Sequence, residues 1–280
     1  MTENLKADAL YAMGYSDEEH RRLIEQEHLF GRHTRRLFQD AGITLGMRVL
    51  DVGCGVGDVS MLAAALVGPE GSVVGVDTNQ RSLELARRRV AALGLPNVAF
   101  LESDLRSLSF DHPFDAVVGR FILMYLGEPS EVLRLLAMHL RSGGIIAFQE
   151  LELELPPVSS TRTVALEELW FSLLLSTFKQ AGVETHMGLK LYQTFVAGNL
   201  PAPNVHMDVH LMTPTDLLGP RAAAQVLRSI LPSMERFGVG TAEEVAVETF
   251  AQRLHADLIS TGAASTWLGL VSAWTRKPSG

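Results

Sequence analysis

Val49-Leu50-Asp51-Val52-Gly53-Cys54-Gly55-Val56-Gly57-Asp58 decides how this chain is read. An apolar run leads into three glycines at alternate positions. Met61, Leu62, Ala65 and Leu66 then recur at helical spacing. Strand, glycine turn and helix is the local order in which a glycine-rich segment holds a nucleotide-like ligand. Glycine lets the main chain turn sharply and approach a ligand with no Cβ in the way. The first turn of the helix then offers unpaired N–H groups.

Downstream, the pattern repeats. Ser72-Val73-Val74-Gly75-Val76-Asp77 reads as a second buried strand ending in an acid, and Leu83, Ala86, Val90 and Leu93 mark a helix from Asn79 to Leu93. Gly94-Leu95-Pro96-Asn97 carries the stop signals of that helix. Val98–Leu101 and Asp115–Gly119 follow as strands, Val132–Leu140 as a helix, and Ser142-Gly143-Gly144 as a turn into strand Ile145–Phe148. Strands alternating with helices imply a parallel sheet covered on both faces. Upstream, residues 1–15 read as loose at first. Ser16-Asp17-Glu18-Glu19 has the form of a capping box. It opens a helix carrying Leu23, Ile24, Phe30, Leu37 and Phe38, with Gly31 a point of bending or breakage. After residue 150 the rhythm changes. Helices are expected near 161–181, around Leu191–Val196, near 219–237 and over 241–261. Strands are expected over 205–211 and 266–274. The expected division is an N-terminal helical cap over 1–45, a core over 46–155, and the remaining sheet with cap insertions over 156–280.

Composition narrows the function. The chain has 280 residues, of which 47% are hydrophobic and 20% charged, which supports a sizeable folded core. Its net charge of −8 argues against nucleic acid as a partner, because phosphate contacts want a basic face. Arg21-Arg22, Arg35-Arg36 and Arg87-Arg88-Arg89 lie in helical patterns and read as solvated faces. Cys54 is the one cysteine, so no intramolecular disulfide forms; its place in the turn reads as packing under a ligand. No basic start followed by an apolar stretch opens the chain, and no apolar run approaches membrane-spanning length. A cytoplasmic protein without a membrane partner is expected.

Asp77 follows the last glycine by about twenty residues, where an acid in a doubly wound sheet accepts hydrogen bonds from ribose hydroxyls. A carboxylate only accepts, and two hydroxyls can donate to its two oxygens. The same side chain could instead cap the helix starting at Asn79. The dinucleotide fingerprint would place a third glycine at position 58, where this chain has Asp58. Asp51 also stands two residues before the turn. Such acids repel a pyrophosphate and favour a ligand with an ammonium or sulfonium group. S-adenosylmethionine (SAM) is therefore favoured over NAD.

These residues also carry a family resemblance. Val49–Gly57 resembles motif I of the class I SAM-dependent methyltransferases, and Asp77, followed by Thr78, matches the ribose-binding acid after their second strand. Ser103-Asp104-Leu105 is similar to their adenine-side acid after strand three. Gly119-Arg120 falls where they line the methionine part of SAM. Leu140-Arg141-Ser142-Gly143-Gly144 resembles their L-x-P-G-G turn, with Ser142 where proline is usual. The flanks resemble a UbiE-like bacterial subgroup through Tyr15-Ser16, Arg22-Leu23, Gln26, Met187–Leu191 and Ala273–Pro278. The resemblance implies a doubly wound, seven-stranded α/β sheet with its last strand antiparallel and a helical cap. The implied cofactor set is Asp51, Gly53, Gly55, Gly57, Asp77, Thr78, Asp104, Leu105, Arg120, Tyr15 and Gln26. Also implied is SAM-dependent methyl transfer to O, N or C of a small, partly apolar acceptor, by a monomer or homodimer. The competing readings are a SAM-binding protein that has lost methyl transfer and an NAD-dependent oxidoreductase.

The catalytic side is less legible. Arg120 is a lone cation that could meet the SAM carboxylate or an acidic substrate, or pair with Asp51 or Glu150. Glu150 follows strand five, and His186 precedes a helix of the cap; both are weak candidates for a base. Glu152 and Glu154 read as a half-exposed strand extension. His206, Asp208 and His210 share a strand face and read as the solvent side of an edge strand, so no metal is expected. Trp170, Phe171, Phe178, Tyr192 and Phe195 read mostly as helix core.

Overall fold

The computed structural model describes residues 9–155 and 161–278. The expected looseness at the start falls largely on 1–8, outside the described residues. The glycine turn sits in the first of the alternating units: β1 (Arg48–Val52), α2 (Asp58–Val67), β2 (Ser72–Asp77), α3 (Gln80–Ala92), β3 (Val98–Glu102) and β4 (Phe114–Arg120). α1 (Asp17–Ala41) precedes them. Then come α4 (Pro129–Met138), β5 (Leu140–Glu152), α5 (Ala165–Gln180), α6 (Met187–Ala197) and β6 (Asn204–Met212). The described chain ends with α7 (Leu218–Arg236), α8 (Ala242–Val245), α9 (Phe250–Thr261) and β7 (Ser265–Arg276). The strand order is β3-β2-β1-β4-β5-β7-β6, and β7 alone runs opposite to the other six strands. This is the doubly wound sheet with an antiparallel last strand that the resemblance implied.

The central strands are apolar on both faces because helices cover both. On one side Val49, Val118 and Ala147 pack under Leu37 and Phe38 of α1 and Leu62 of α2. On the other, Leu50, Val117 and Phe148 pack against Leu133 of α4 and Leu191 and Phe195 of α6. That second core continues into a helical layer through Trp170, Leu227 and Phe250 of α5, α7 and α9. The Trp170 indole N–H donates to Ala223 O at 2.8 Å, so the buried ring leaves no unpaired donor.

Several local expectations are corrected. α1 runs unbroken through Gly31. A Cβ there would overlap the Glu27 carboxyl group, so glycine makes room for Glu27 to fold along the helix. The capping box is half formed: Glu19 N–H donates to Ser16 Oγ at 3.1 Å, but the Glu19 carboxylate turns to Tyr11 and Arg22. Residues 142–144 lie inside β5, which meets β4 through a register irregularity between Phe114 and Ala116. The expected helix over 241–261 breaks where Ala246 takes φ 45°, separating α8 from α9. Tyr192 is half exposed on α6 and does not join the core.

β6 reverses the expected amphipathicity. Val205, Met207, Val209 and Leu211 are exposed, whereas His206, Asp208 and His210 are only partly exposed. The reason is α1, which sets His33 Nδ1 3.3 Å from Asp208 Oδ1 and brings Arg36 to 3.9 Å. His206 lies 3.3 Å from the other Asp208 oxygen, and His210 pairs with Asp216 at 2.8 Å.

Candidate active site

A cavity of about 300 Å³ opens at the carboxyl ends of the central strands. Its polar part is lined by Gly53, Gly55, Asp77, Thr78, Arg120, Gln26 and Tyr15. The structure thus brings together residues predicted on five different parts of the chain. Gly53 and Gly55 have φ of 67° and 51°, a region that favours glycine. A Cβ on Gly55 would meet nothing nearer than Leu23 Cδ1 at 4.0 Å, so it would occupy the cavity itself.

Asp77 is pre-positioned by the turn. Its Oδ2 accepts from Gly55 N–H at 2.9 Å and its Oδ1 from Asn79 N–H at 2.8 Å. Burial raises its pKa against these backbone donors. Asn79, not Asp77, caps α3, with its Oδ1 accepting from Ser82 N–H at 2.9 Å. Tyr15 stands close enough to Asp77 for that charge to lift the phenol pKa, after burial.

Arg120 is 7% exposed, yet pairs with neither Asp51 nor Glu150. Its Nη1 lies 3.0 Å from Glu27 Oε2 and 3.0 Å from Thr34 Oγ1, both on α1. Thr34 in turn donates to Gln149 Oε1 at 2.7 Å, and Gln149 Nε2 donates to Ser272 Oγ at 2.8 Å. This buried chain ties α1 to β4, β5 and β7.

Other predicted residues lie away from the lining. Gly57 packs beneath the turn, where a Cβ would come 3.1 Å from Phe100 and 3.2 Å from Ala86. Asp51 is 1% exposed and accepts from Ser60 Oγ at 2.5 Å, while its Oδ1 has no hydrogen-bond partner among the described residues. Burial pushes its pKa up to about 7. Cys54, by contrast, is on the cavity lining although buried; burial, then Asp51 and Asp77, raise its thiol pKa and keep it protonated. Leu105 is buried, and Asp104 caps a short turn by accepting from Arg106 N–H at 2.7 Å.

The two base candidates are spoken for. Glu150 is buried, and its carboxyl oxygens accept from the N–H groups of Ile122, Leu123 and Met124 at 3.0, 2.8 and 3.4 Å. Burial still raises its pKa to about 8. It shapes the turn after β4 instead of facing the cavity. His186 also lies off the cavity, bridging Glu152 at 2.8 Å and Glu154 at 3.3 Å. Glu152 is therefore not a half-exposed extension: it is 1% exposed and also accepts from Leu189 N–H.

Sequence reading missed the far half of the site. Arg22 is not on a solvated face; it is 9% exposed and lines the cavity with Glu19, Tyr11 and Tyr125. Arg22 Nε and Nη2 donate to Glu19 at 2.7 and 2.8 Å, Arg22 Nη1 donates to Gln26 Oε1 at 2.9 Å, and Tyr11 donates to Glu19 at 2.8 Å. The signal was present as Glu19, Arg22 and Gln26 at i, i+3 and i+7, one helix face. Beyond them the wall is Leu151, Leu153, Leu174, Phe178, Val226 and Trp267.

A family model described as a methyltransferase domain matches residues 43–193, more than half of the 280-residue chain. This chain belongs to that methyltransferase family. It is a class I SAM methyltransferase by family and fold. A ubiquinone/menaquinone biosynthesis C-methyltransferase, UbiE, of Pseudomonas paraeruginosa is 35% identical over 136 residues, 48% of this chain and 52% of that relative. The match therefore spans about half the length of the curated relative. Among solved structures, YcgJ of Bacillus subtilis is similar at TM-score 0.56 and 20% identity, covering 89% of this chain and all of that one. A phosphoethanolamine N-methyltransferase of Haemonchus contortus, in complex with S-adenosylhomocysteine, is similar at TM-score 0.59 and 16% identity, covering 94% of this chain and 58% of that one. At these identities the structures support the fold alone.

The residues present fit the family's methyl donor. Gly55 leaves open the volume its Cβ would fill, Asp77 faces the cavity with its backbone bonds already made, and Asp51 Oδ1 is an orphaned buried acceptor beneath the turn. Asp51 also yields a prediction. Its folded pKa is above the unfolded value, so its contribution to stability is present below the ordinary carboxylate range and is lost as pH rises towards 7. Without donor, Asp51→Asn should therefore gain stability over the wild type as pH rises from about 4 to about 7, by roughly 2–4 kcal/mol at pH 8. Denaturant unfolding at several pH values measures this. A variant less stable than the wild type at pH 8 would contradict it.

Proposed function

We propose that this protein methylates O, N or C of a small, partly apolar molecule, using SAM. The two-part cavity carries this reading: a polar half on the glycine turn and Asp77 is joined to a half walled by leucines, Phe178 and Trp267. When bound, the cofactor supplies a methyl group already activated by its sulfonium leaving group. The chain's task is then alignment and exclusion of water.

In this proposal Asp77 accepts from the ribose hydroxyls, with Thr78 beside it. Gly53 and Gly55 let the main chain come close. Asp104 and Leu105 flank the adenine side, brought next to Asp77 by the Ser103 N–H to Asp77 O bond at 3.1 Å. Arg120, Gln26 and Tyr15 serve the carboxylate end, while Asp51 and Gly57 support the turn from below. Residues 46–155 supply most of the donor half, and the described parts of 1–45 and 156–280 close the acceptor side. The segment leading into α1 crosses that side: Ala9 N–H donates to Tyr125 O at 2.7 Å, Leu10 N–H donates to Ala181 O at 3.1 Å, and Ser233 Oγ donates to Ala12 O at 2.7 Å. No described helix is long and apolar enough to cross a membrane. We propose a bacterial, cytoplasmic enzyme, monomeric or homodimeric, without a nucleic-acid partner.

Incubation with methyl-labelled SAM and a small-molecule extract tests the reading. Label should enter a low-mass product, with one S-adenosylhomocysteine formed per methyl group. Label confined to protein or nucleic acid, or product without S-adenosylhomocysteine, would reject it.

A further inference from the structure

We infer that Tyr125 positions the acceptor, donating its hydroxyl hydrogen bond to a neutral oxygen or nitrogen beside the methylated atom of an otherwise apolar, uncharged molecule. The inference rests on the methyl-transfer reading above.

Tyr125 closes the short turn Leu123–Tyr125 after β4 and lines the cavity with Tyr11, Glu19 and Arg22. The turn is held by the Glu150 carboxyl, and the Tyr125 carbonyl accepts from Ala9 N–H, so the side chain is anchored from both sides. Its ring meets Tyr11 edge-on at 5.1 Å. Tyr125 is partly exposed, and its hydroxyl, on the cavity lining, makes no side-chain hydrogen bond among the described residues. A phenol oxygen on a cavity wall is left to water until a ligand atom takes that place, so it is available to an acceptor atom.

The charged neighbours are not free to serve instead. Both Glu19 oxygens accept from Arg22, and one also accepts from Tyr11. The pair cancels its own charge, so Glu19 is a poor base and Arg22 a poor anion site. Burial, and after it the Glu19 charge, raises the Tyr125 pKa, which keeps the phenol a donor. Beyond it, Leu151, Leu153, Leu174, Phe178, Val226 and Trp267 offer no counter-charge. A carboxylate, phosphate or ammonium on the acceptor body would be buried unpaired. A lone-pair atom at the Tyr125 end is what one neutral donor matches.

The test uses three probes of one shape, 1-naphthol, naphthalene and 1-naphthoate, titrated into wild type and Tyr125→Phe with S-adenosylhomocysteine present. Wild type should bind 1-naphthol about tenfold more tightly than naphthalene, the effect of one hydrogen bond. It should bind 1-naphthoate more weakly than 1-naphthol. Tyr125→Phe loses no side-chain hydrogen bond to the described residues, so it should fold, and the naphthol preference should vanish. The preference persisting in Tyr125→Phe, being absent from wild type, or being exceeded by 1-naphthoate would overturn the inference. Failure of the methyl-transfer reading shows separately, as no calorimetric binding of SAM or S-adenosylhomocysteine to wild type.

Discussion

Asp77→Ala is expected to weaken SAM binding by about a hundredfold or more, because hydrogen bonds from two hydroxyls to one carboxylate are each worth about 1.5–3 kcal/mol. The side chain also orders the turn, through Gly55 N–H at 2.9 Å and Asn79 N–H at 2.8 Å, so alanine would loosen the cradle as well. Calorimetry measures the affinity, and far-UV circular dichroism shows that α3 survives, as it should with Asn79 as its cap. Affinity within about twofold of wild type would remove Asp77 from the ribose role. A pH series adds a second reading. The pKa of Asp77 lies above the ordinary carboxylate value because of burial, so donor affinity should begin to fall at a higher pH than for an exposed acid.

Glu150→Ala should be the most damaging substitution for stability at the site, costing roughly 3–5 kcal/mol. It would strip the acceptor from three N–H groups of the turn that carries Tyr125. Glu150→Gln keeps a carbonyl acceptor in the same place and should cost far less. The sign of its pH effect follows from the folded pKa of about 8, raised by burial above the ordinary glutamate value. The wild-type contribution is present below the unfolded pKa and declines as pH rises through 8, so Gln should overtake wild type in alkaline solution. Denaturant titration of both variants at pH 6 and pH 9 checks this. Gln proving as harmful as Ala, or Ala costing under about 1 kcal/mol, would mean that Glu150 does not hold the turn.

The polar half of the cavity was legible because its parts are local. A buried strand, glycines at alternate positions and an acid at the end of the next strand lie close in the chain, and backbone sterics constrain what they can form. Gly53, Gly55, Asp77 and Thr78 meet in the cavity for that reason. Asp51 and Gly57 belong to the same motif but support it from below, a distinction of depth that spacing does not carry. Glu150 and His186 misled because a lone acid or histidine near a strand end looks the same whether it faces a substrate or backbone and carboxylate partners.

The strand and helix periodicities determined by themselves a parallel sheet covered on both faces, and the glycine turn at 49–58 with its acids, followed by Asp77, favoured SAM over NAD. Only the tertiary structure decided that Arg22 turns inward to Glu19, that Arg120 pairs with Glu27 across Gly31, and that the Tyr125 hydroxyl meets the cavity with no side-chain partner among the described residues. Each depends on contacts between α1, the turn after β4 and the helices after β5. A charge or a hydroxyl takes its role from what is packed beside it, and that neighbour comes from elsewhere in the chain.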